Sequence, residues 1–183
     1  MGLATTYVRL LAPLTAVLPL ACSCHHAYRK TPAGVTEVKT LPASKAIRAG
    51  TEGDYYDESN RLFRRLFNYI KTNEVAMTVP VESRNEPARM RFYVGPSDAA
   101  KDLGNSTQVE VLTMPERTVA SHGSRGAYTG ENFAAAKARL KQWLGERPDL
   151  KPVGPPYAVY WNSPFVPNMF KRFEVHVPIS RSD

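Results

Sequence analysis

Cysteine is nearly absent from this 183-residue chain. Its two copies both stand in the short run Leu20-Ala21-Cys22-Ser23-Cys24. Everything after residue 24 is therefore without an internal disulfide, a thiolate nucleophile or a cysteine-based metal site. Long apolar runs are missing too. The longest, Leu10–Ala21, has about a dozen residues, short of the ~20 that a bilayer-spanning helix needs. The chain has no glycine-rich phosphate loop, no Gly-x-Ser-x-Gly elbow and no histidine pair at helical spacing. Ser121-His122 and Ser124 lie close together, but no acidic residue stands near to orient the histidine. These absences argue for a binding protein, not an enzyme.

Charge of one sign is also scarce. Lys and Arg number 24 against 17 Asp and Glu, a formal net charge of +7. The bases are spread along the chain, the densest group being Arg61, Arg64 and Arg65, so a nucleic-acid reader is disfavoured. Loose attraction to an anionic surface fits this distribution better.

Residues 1–27 read as a leader and its junction: one early arginine, then the apolar run, then Ala21-Cys22. The run implies export, to a periplasmic, membrane-anchored or secreted location. Cys22 is either lipidated, which would anchor the chain to a membrane, or close to a simple cleavage point. Cys22, Cys24, His25 and His26 have the side chains of a metal site but no rigid frame to hold them. Residues 28–183 are long enough for one domain.

The domain is organised around Asp57–Val81. Leu62, Phe63, Leu66, Phe67 and Ile70 form one apolar stripe at helical spacing, with Asp57 or Ser59 as candidate cap. The period then changes to two, with Val75, Met77, Val79 and Val81 on one side of a strand ending near Pro80. This unit recurs. An offset of 73 pairs Glu37 with Glu110, Val38 with Val111, Thr40 with Thr113, Pro42 with Pro115, Gly50 with Gly123, Tyr55 with Tyr128 and Glu58 with Glu131. The chain reads βαββ–βαββ, an α+β class, with repeats over about 36–94 and 109–177. Val35–Ala49 is expected as the first strand, bent at Pro42. The second helix is expected over about Glu131–Leu144, ended by Gly145.

Between the last two strands lies an irregular segment holding Phe165, Val166, Met169 and Phe170 between and beyond two prolines. Four large apolar side chains in such a loop either cap the core or line a pocket. His122 reads as an exposed strand end. His176 alternates with Glu174 and Arg172 and so belongs to a polar face, while Phe173, Val175 and Val177 face the core.

Glu74-Val75-Ala76-Met77-Thr78-Val79-Pro80-Val81, Asn162-Ser163-Pro164-Phe165, Lys171-Arg172-Phe173-Glu174-Val175 and Thr36-Glu37-Val38-Lys39 together resemble the SOUL haem-binding family over about Val35–Pro178. The resemblance implies a distorted antiparallel β-barrel with two flanking helices. It also implies non-covalent binding of haem or another tetrapyrrole, in a groove beside the first helix and the loop before the last strand. Carried onto this chain, that groove has Phe63, Phe67 and Ile70 on one wall and Phe165, Val166, Met169 and Phe170 on the other. Arg64 and Arg65 stand ready for ligand carboxylates. Some members have a histidine proposed as iron ligand where this chain has Thr40. Coordination by that residue therefore does not carry over, and no metal-ligating residue is assigned. The other readings are a small-molecule effector-binding or sensor module of the envelope, and a basic anionic-surface binder.

Overall fold

The computed structural model describes residues 25–182. The leader, its cleavage and the lipidation of Cys22 fall outside the described residues, as do both cysteines of the candidate metal cluster. Among the described residues no group of three or more His, Cys, Asp or Glu side chains could hold a metal ion. None of their helices is long and apolar enough to cross a membrane.

The elements run β1 (His25–His26), β2 (Thr36–Leu41), β3 (Ser44–Gly50), α1 (Tyr55–Thr72), β4 (Thr78–Val79), β5 (Val81–Arg84), β6 (Arg89–Tyr93), β7 (Glu110–Met114), β8 (Arg117–Arg125), α2 (Gly130–Gly145), β9 (Leu150–Pro152), β10 (Tyr157–Tyr160) and β11 (Arg172–Arg181). The main sheet is antiparallel in the order β2-β8-β11-β10-β5-β6-β3-β7, with β9 added to the far end of β11. The two end strands, β2 and β7, do not pair with each other, so the sheet curls into a half-barrel that stays open. The fold is α+β.

Exchanging β2 with β7, β3 with β8, β5 with β10 and β6 with β11 reverses the strand order into itself. The helices obey the same exchange: α1 lies on β3 and β6, α2 on β8 and β11. The offset of 73 carries Thr36–Leu41 onto residues 109–114, which include β7, and Ser44–Gly50 onto 117–123 within β8. It carries α1 onto 128–145, which contains α2.

The expected long first strand is two strands. Pro42 has no amide hydrogen for the ladder. After it the chain leaves β2, at one end of the sheet, for β3 near the other. The expected strand over Val75–Val81 is likewise reduced to Thr78–Val79 and β5, separated by Pro80, and it is Thr78 and Pro80, not Val79 and Val81, that are buried.

Helix α1 starts two residues before the expected Asp57. Its cap is Asp54, whose carboxylate accepts from the Tyr56 amide at 2.7 Å, and Asp57 and Glu58 then favour the positive end of the helix. Tyr55, Leu62, Leu66, Tyr69 and Ile70 are the side chains it buries. In α2, Phe133, Ala136 and Leu140 do the same, beneath a Thr129 cap. Both sets meet Ile47, Phe92, Phe173 and Val175 in one core.

Part of the opposite face of the sheet is covered too. Residues 26–34 cross it as a strap. Ala27 donates its amide to Val79 O at 2.8 Å, Gly34 donates to Gly123 O at 2.8 Å, and Tyr28 packs its ring edge-on against Tyr93 and Trp161.

Candidate functional site

A groove of about 500 Å3 runs between the first half of α1, the start of α2 and the loop 162–171. Its walls are aromatic. Tyr128 stacks on Tyr160 at 4.2 Å, Tyr160 stacks on Tyr55 at 6.3 Å, and Tyr56 and Phe63 complete the lining from α1. These positions follow from the chain: Tyr55 and Tyr128 each stand at the entry to a helix, and Tyr160 ends β10, so the two halves bring their aromatic entries to one place.

Tyr128 also anchors the loop. Its hydroxyl donates to Arg172 O and accepts from the Asn162 amide, both at 2.9 Å, while the Asn162 side chain accepts from the Arg172 amide at 2.7 Å. The two ends of the loop are thereby tied together beside the groove. Lys171 stands at the mouth, its ammonium 5.2 Å from the Tyr128 ring and 3.0 Å from the Asn168 side-chain oxygen that accepts from it. No Asp or Glu lines the groove.

Burial pushes the Tyr160 hydroxyl far above its ordinary pKa, and it raises Tyr56 and, to about 12, Tyr128. All three are protonated donors at neutral pH. The Tyr56 and Tyr160 hydroxyls, which lie close to each other, have no hydrogen-bond partner of good geometry in the protein. Both oxygens are buried, with Asn85 beside that of Tyr56 and Ser83 beside that of Tyr160.

Of the expected wall residues, Phe63 lines the groove. Phe67 stacks parallel to Phe63 at 5.8 Å, outside the lining, and is 44% exposed. Ile70 is a correction. It lies on the side of α1 that packs on the sheet and is buried in the core. Arg64 is exposed on the outside of the helix. Arg65 donates to the Gly50 carbonyl at 3.3 Å, so it braces the corner between β3 and α1 and is not turned to a ligand. Phe165, Met169 and Phe170 are 95%, 73% and 62% exposed, and Val166 is half-buried. They neither cap the core nor line the groove. Pro164 and Lys171 of the same loop do. Lys171 directly follows the apolar segment, and its place in the motif Lys171–Val175 does not by itself mark it as a groove residue. Tyr55 and Tyr128 show in the sequence only as a repeat pair.

The reading of His122 as an exposed strand end is also corrected, whereas His176 shares the face of Glu174, away from Phe173, Val175 and Val177, as the alternation predicts. His122 is buried, its Nδ1 paired with the Thr36 hydroxyl at 2.7 Å. His176 is fully buried within a polar cluster under the strap. There the Glu174 carboxylate accepts from Lys39 at 2.5 Å, His176 Nε2 at 2.6 Å, the Thr31 amide at 2.7 Å and Ser121 Oγ at 2.9 Å. Burial alone would raise the Glu174 carboxyl, but His176 and Lys39 together hold it well below the usual carboxylate range. Burial lowers His176, only partly countered by Glu174. Ser121 bonds to the carboxylate and not to an imidazole, so the cluster does not have the nucleophile–base order of hydrolytic triads. Its neighbour Glu82 is just as buried and accepts from Arg91, Arg117 and the Tyr93 hydroxyl. Alternation of apolar residues located both faces of β11, but nothing in it showed that the second face is covered.

The fold is shared with solved structures of low sequence identity. The C-terminal domain of EcmrR superposes with a TM-score of 0.64 at 13% identity, over 81% of this chain and 98% of that one. A hydrolase from Listeria innocua gives 0.55 at 13%, over 82% and 94%. SAV2435 bound to tetraphenylphosphonium gives 0.50 at 9%, over 80% and 94%. No curated protein sequence matches the chain. The SOUL heme-binding protein family matches residues 23–178, most of the length, and the chain belongs to that family.

Proposed function

We propose that this protein binds a tetrapyrrole non-covalently in the groove between α1, α2 and the loop 162–171, and that it does so as an exported binding protein and not as an enzyme. The observation that carries this reading is the groove itself: about 500 Å3, walled by Tyr55, Tyr128, Tyr160 and Phe63, with Lys171 at its mouth, in a SOUL-family chain. Stacked tyrosine rings suit a flat macrocycle. A lysine at the rim suits its carboxylates, and the exposed Phe165, Met169 and Phe170 stand beside the mouth, where a bound apolar ligand gives them a surface to cover.

Haem fits this site through its ring and its propionates. For its iron the groove offers no histidine, burial keeps the groove tyrosines protonated, and Met90, the one thioether in the lining, packs in the core. Bound haem would supply its own iron chemistry, while the chain supplies stacking and the Lys171 charge. The sensor reading, with a lipophilic cation like the one in the SAV2435 structure, is weakened by the absence of any carboxylate in the lining.

Absorbance titration of the full chain with haemin and with metal-free protoporphyrin tests the proposal. The two affinities are expected within about tenfold, a ~1.4 kcal/mol difference, because no strong axial bond is lost with the metal. Phe63→Ala should weaken both by roughly 1.5–3 kcal/mol. Binding of haemin alone, or indifference to Phe63→Ala, would overturn the groove as the site.

A further inference from the structure

On the helix-free face of the sheet the strap is bonded to β2, β8 and β11. The part built from β3, β5 and β6 carries arginines. Ile47, Ala49, Met90 and Phe92 face the core, so strand alternation sends Arg48, Arg89 and Arg91 to the other side. The ladder sets Arg48 directly opposite Arg91 and Arg84 directly opposite Arg89. Like charges directly opposed across antiparallel strands repel each other and destabilise the pairing. Two such pairs on adjoining strands work against the sheet unless an anion lies among them.

A pocket is present at this place. The same four arginines and Arg117 line about 90 Å3 of space together with Glu82 and Tyr157. That is room for several water-sized groups, far too little for a macrocycle. The negative groups do not balance it. Glu82 is shared by Arg91 and Arg117. Glu110 pairs with Arg48, and Glu52 reaches Arg89 only at 3.5 Å, both from the solvent side. Arg89 is otherwise spent on the carbonyls of Thr51 and Ala88. Arg84 has no side-chain partner among the described residues, and the buried Nε of Arg91 has no hydrogen-bond partner.

We propose that this pocket is a second binding site, separate from the aromatic groove, for a small phosphate-type oxyanion. Guanidinium forks match oxyanions in bidentate fashion. Phosphate fits better than a carboxylate because several converging guanidiniums offer more donors than two carboxylate oxygens accept. A bound phosphate relieves both arginine pairs at once, with Arg84 and the Arg91 Nε as donors that the protein leaves free.

Calorimetric titration of the full chain with inorganic phosphate, and in a second arm with phenyl phosphate, tests this at fixed ionic strength set by chloride. Saturable binding of inorganic phosphate is expected, weakened at least fivefold by Arg84→Ala and by Arg48→Ala, neither of which bonds to Glu82. Arg64→Ala, on the outside of α1, should leave it unchanged. Phenyl phosphate binding equally well supports a phosphate monoester as occupant, and its exclusion supports the free ion. The absence of saturable phosphate binding, or an Arg64→Ala effect as large as that of Arg84→Ala, would overturn the site in favour of diffuse charge attraction. Porphyrin titration of the same variants reads the groove independently.

Discussion

Gly123 shows how much can depend on one absent side chain. A Cβ there would stand 2.2 Å from the Pro32 carbonyl oxygen and 2.6 Å from that of Thr31. The strap lies close enough to donate Gly34 N–H to Gly123 O and to accept Gly123 N–H on Val35 O only because that space is open. The obstacle is backbone, which cannot swing away as a side-chain tip can. Gly123→Ala should therefore cost about 1–3 kcal/mol, the usual range for overpacking, and lift the strap. Urea unfolding measures the first effect, and trypsin cleavage after Arg29 and Lys30 the second. An unchanged midpoint with unchanged cleavage would show that the strap does not depend on this contact. The strap also decides what a single position in β11 or β8 faces: His122 stands near a strand end in sequence and is buried in the fold. Glu174 and His176 alternate with apolar neighbours, which places them on the second face of β11, and only the strap, far away in the chain, turns that face into an interior.

At the scale of elements, periodicity was the reliable guide. The α1 stripe, the α2 face and their relation by 73 residues could be read directly, because burial against one sheet imposes helical spacing on the apolar side chains. Ends and directions could not. Three nearby acids or hydroxyls were able to cap α1, and the choice fell to Asp54 because its side chain reaches the Tyr56 amide. Asp54→Ala is expected to lower stability by about 1 kcal/mol, and Ser59→Ala, whose hydroxyl donates to the Tyr56 carbonyl at 3.3 Å from within the helix, by much less. Thermal unfolding of both variants checks the ranking, and the reverse order would place the cap elsewhere. Pro42 signalled a break in β2 without revealing that the two halves separate to opposite ends of the sheet. In the loop 162–171 the composition was legible, but an irregular backbone has no period from which to tell that Phe165, Met169 and Phe170 point outward while Pro164 and Lys171 face the groove.

For the whole molecule, the palindromic sheet gives two differently used faces. The helix face forms the core and, at its edge, the aromatic groove. The other face buries charged groups from distant strands: Lys39 from β2, Glu82 from β5, and Glu174 and His176 from β11. Their protonation sets how stability depends on pH. Burial holds His176 and His122 below the ordinary histidine value near 6.5, so between that value and their folded pKa the unfolded chain binds protons that the folded one excludes. Glu174 and Glu82 are held below the ordinary 4.5 by the cations around them, which gives the same sign at lower pH. Stability contributed by all four is present at neutral pH and is lost as pH falls, first below about 6.5 and then more steeply below about 4.5. Unfolding free energies from urea titrations between pH 8 and pH 3 should follow that two-stage decline. Glu174→Gln should be less stable than the parent at pH 7, because Lys39 loses its anion and His176 Nε2 its carboxylate acceptor, and its decline below pH 4.5 should be shallower. A parent protein equally stable at pH 4 and pH 7, or a Glu174→Gln variant with an unchanged acid slope, would mean that the buried cluster does not hold its carboxylate ionised as its contacts require.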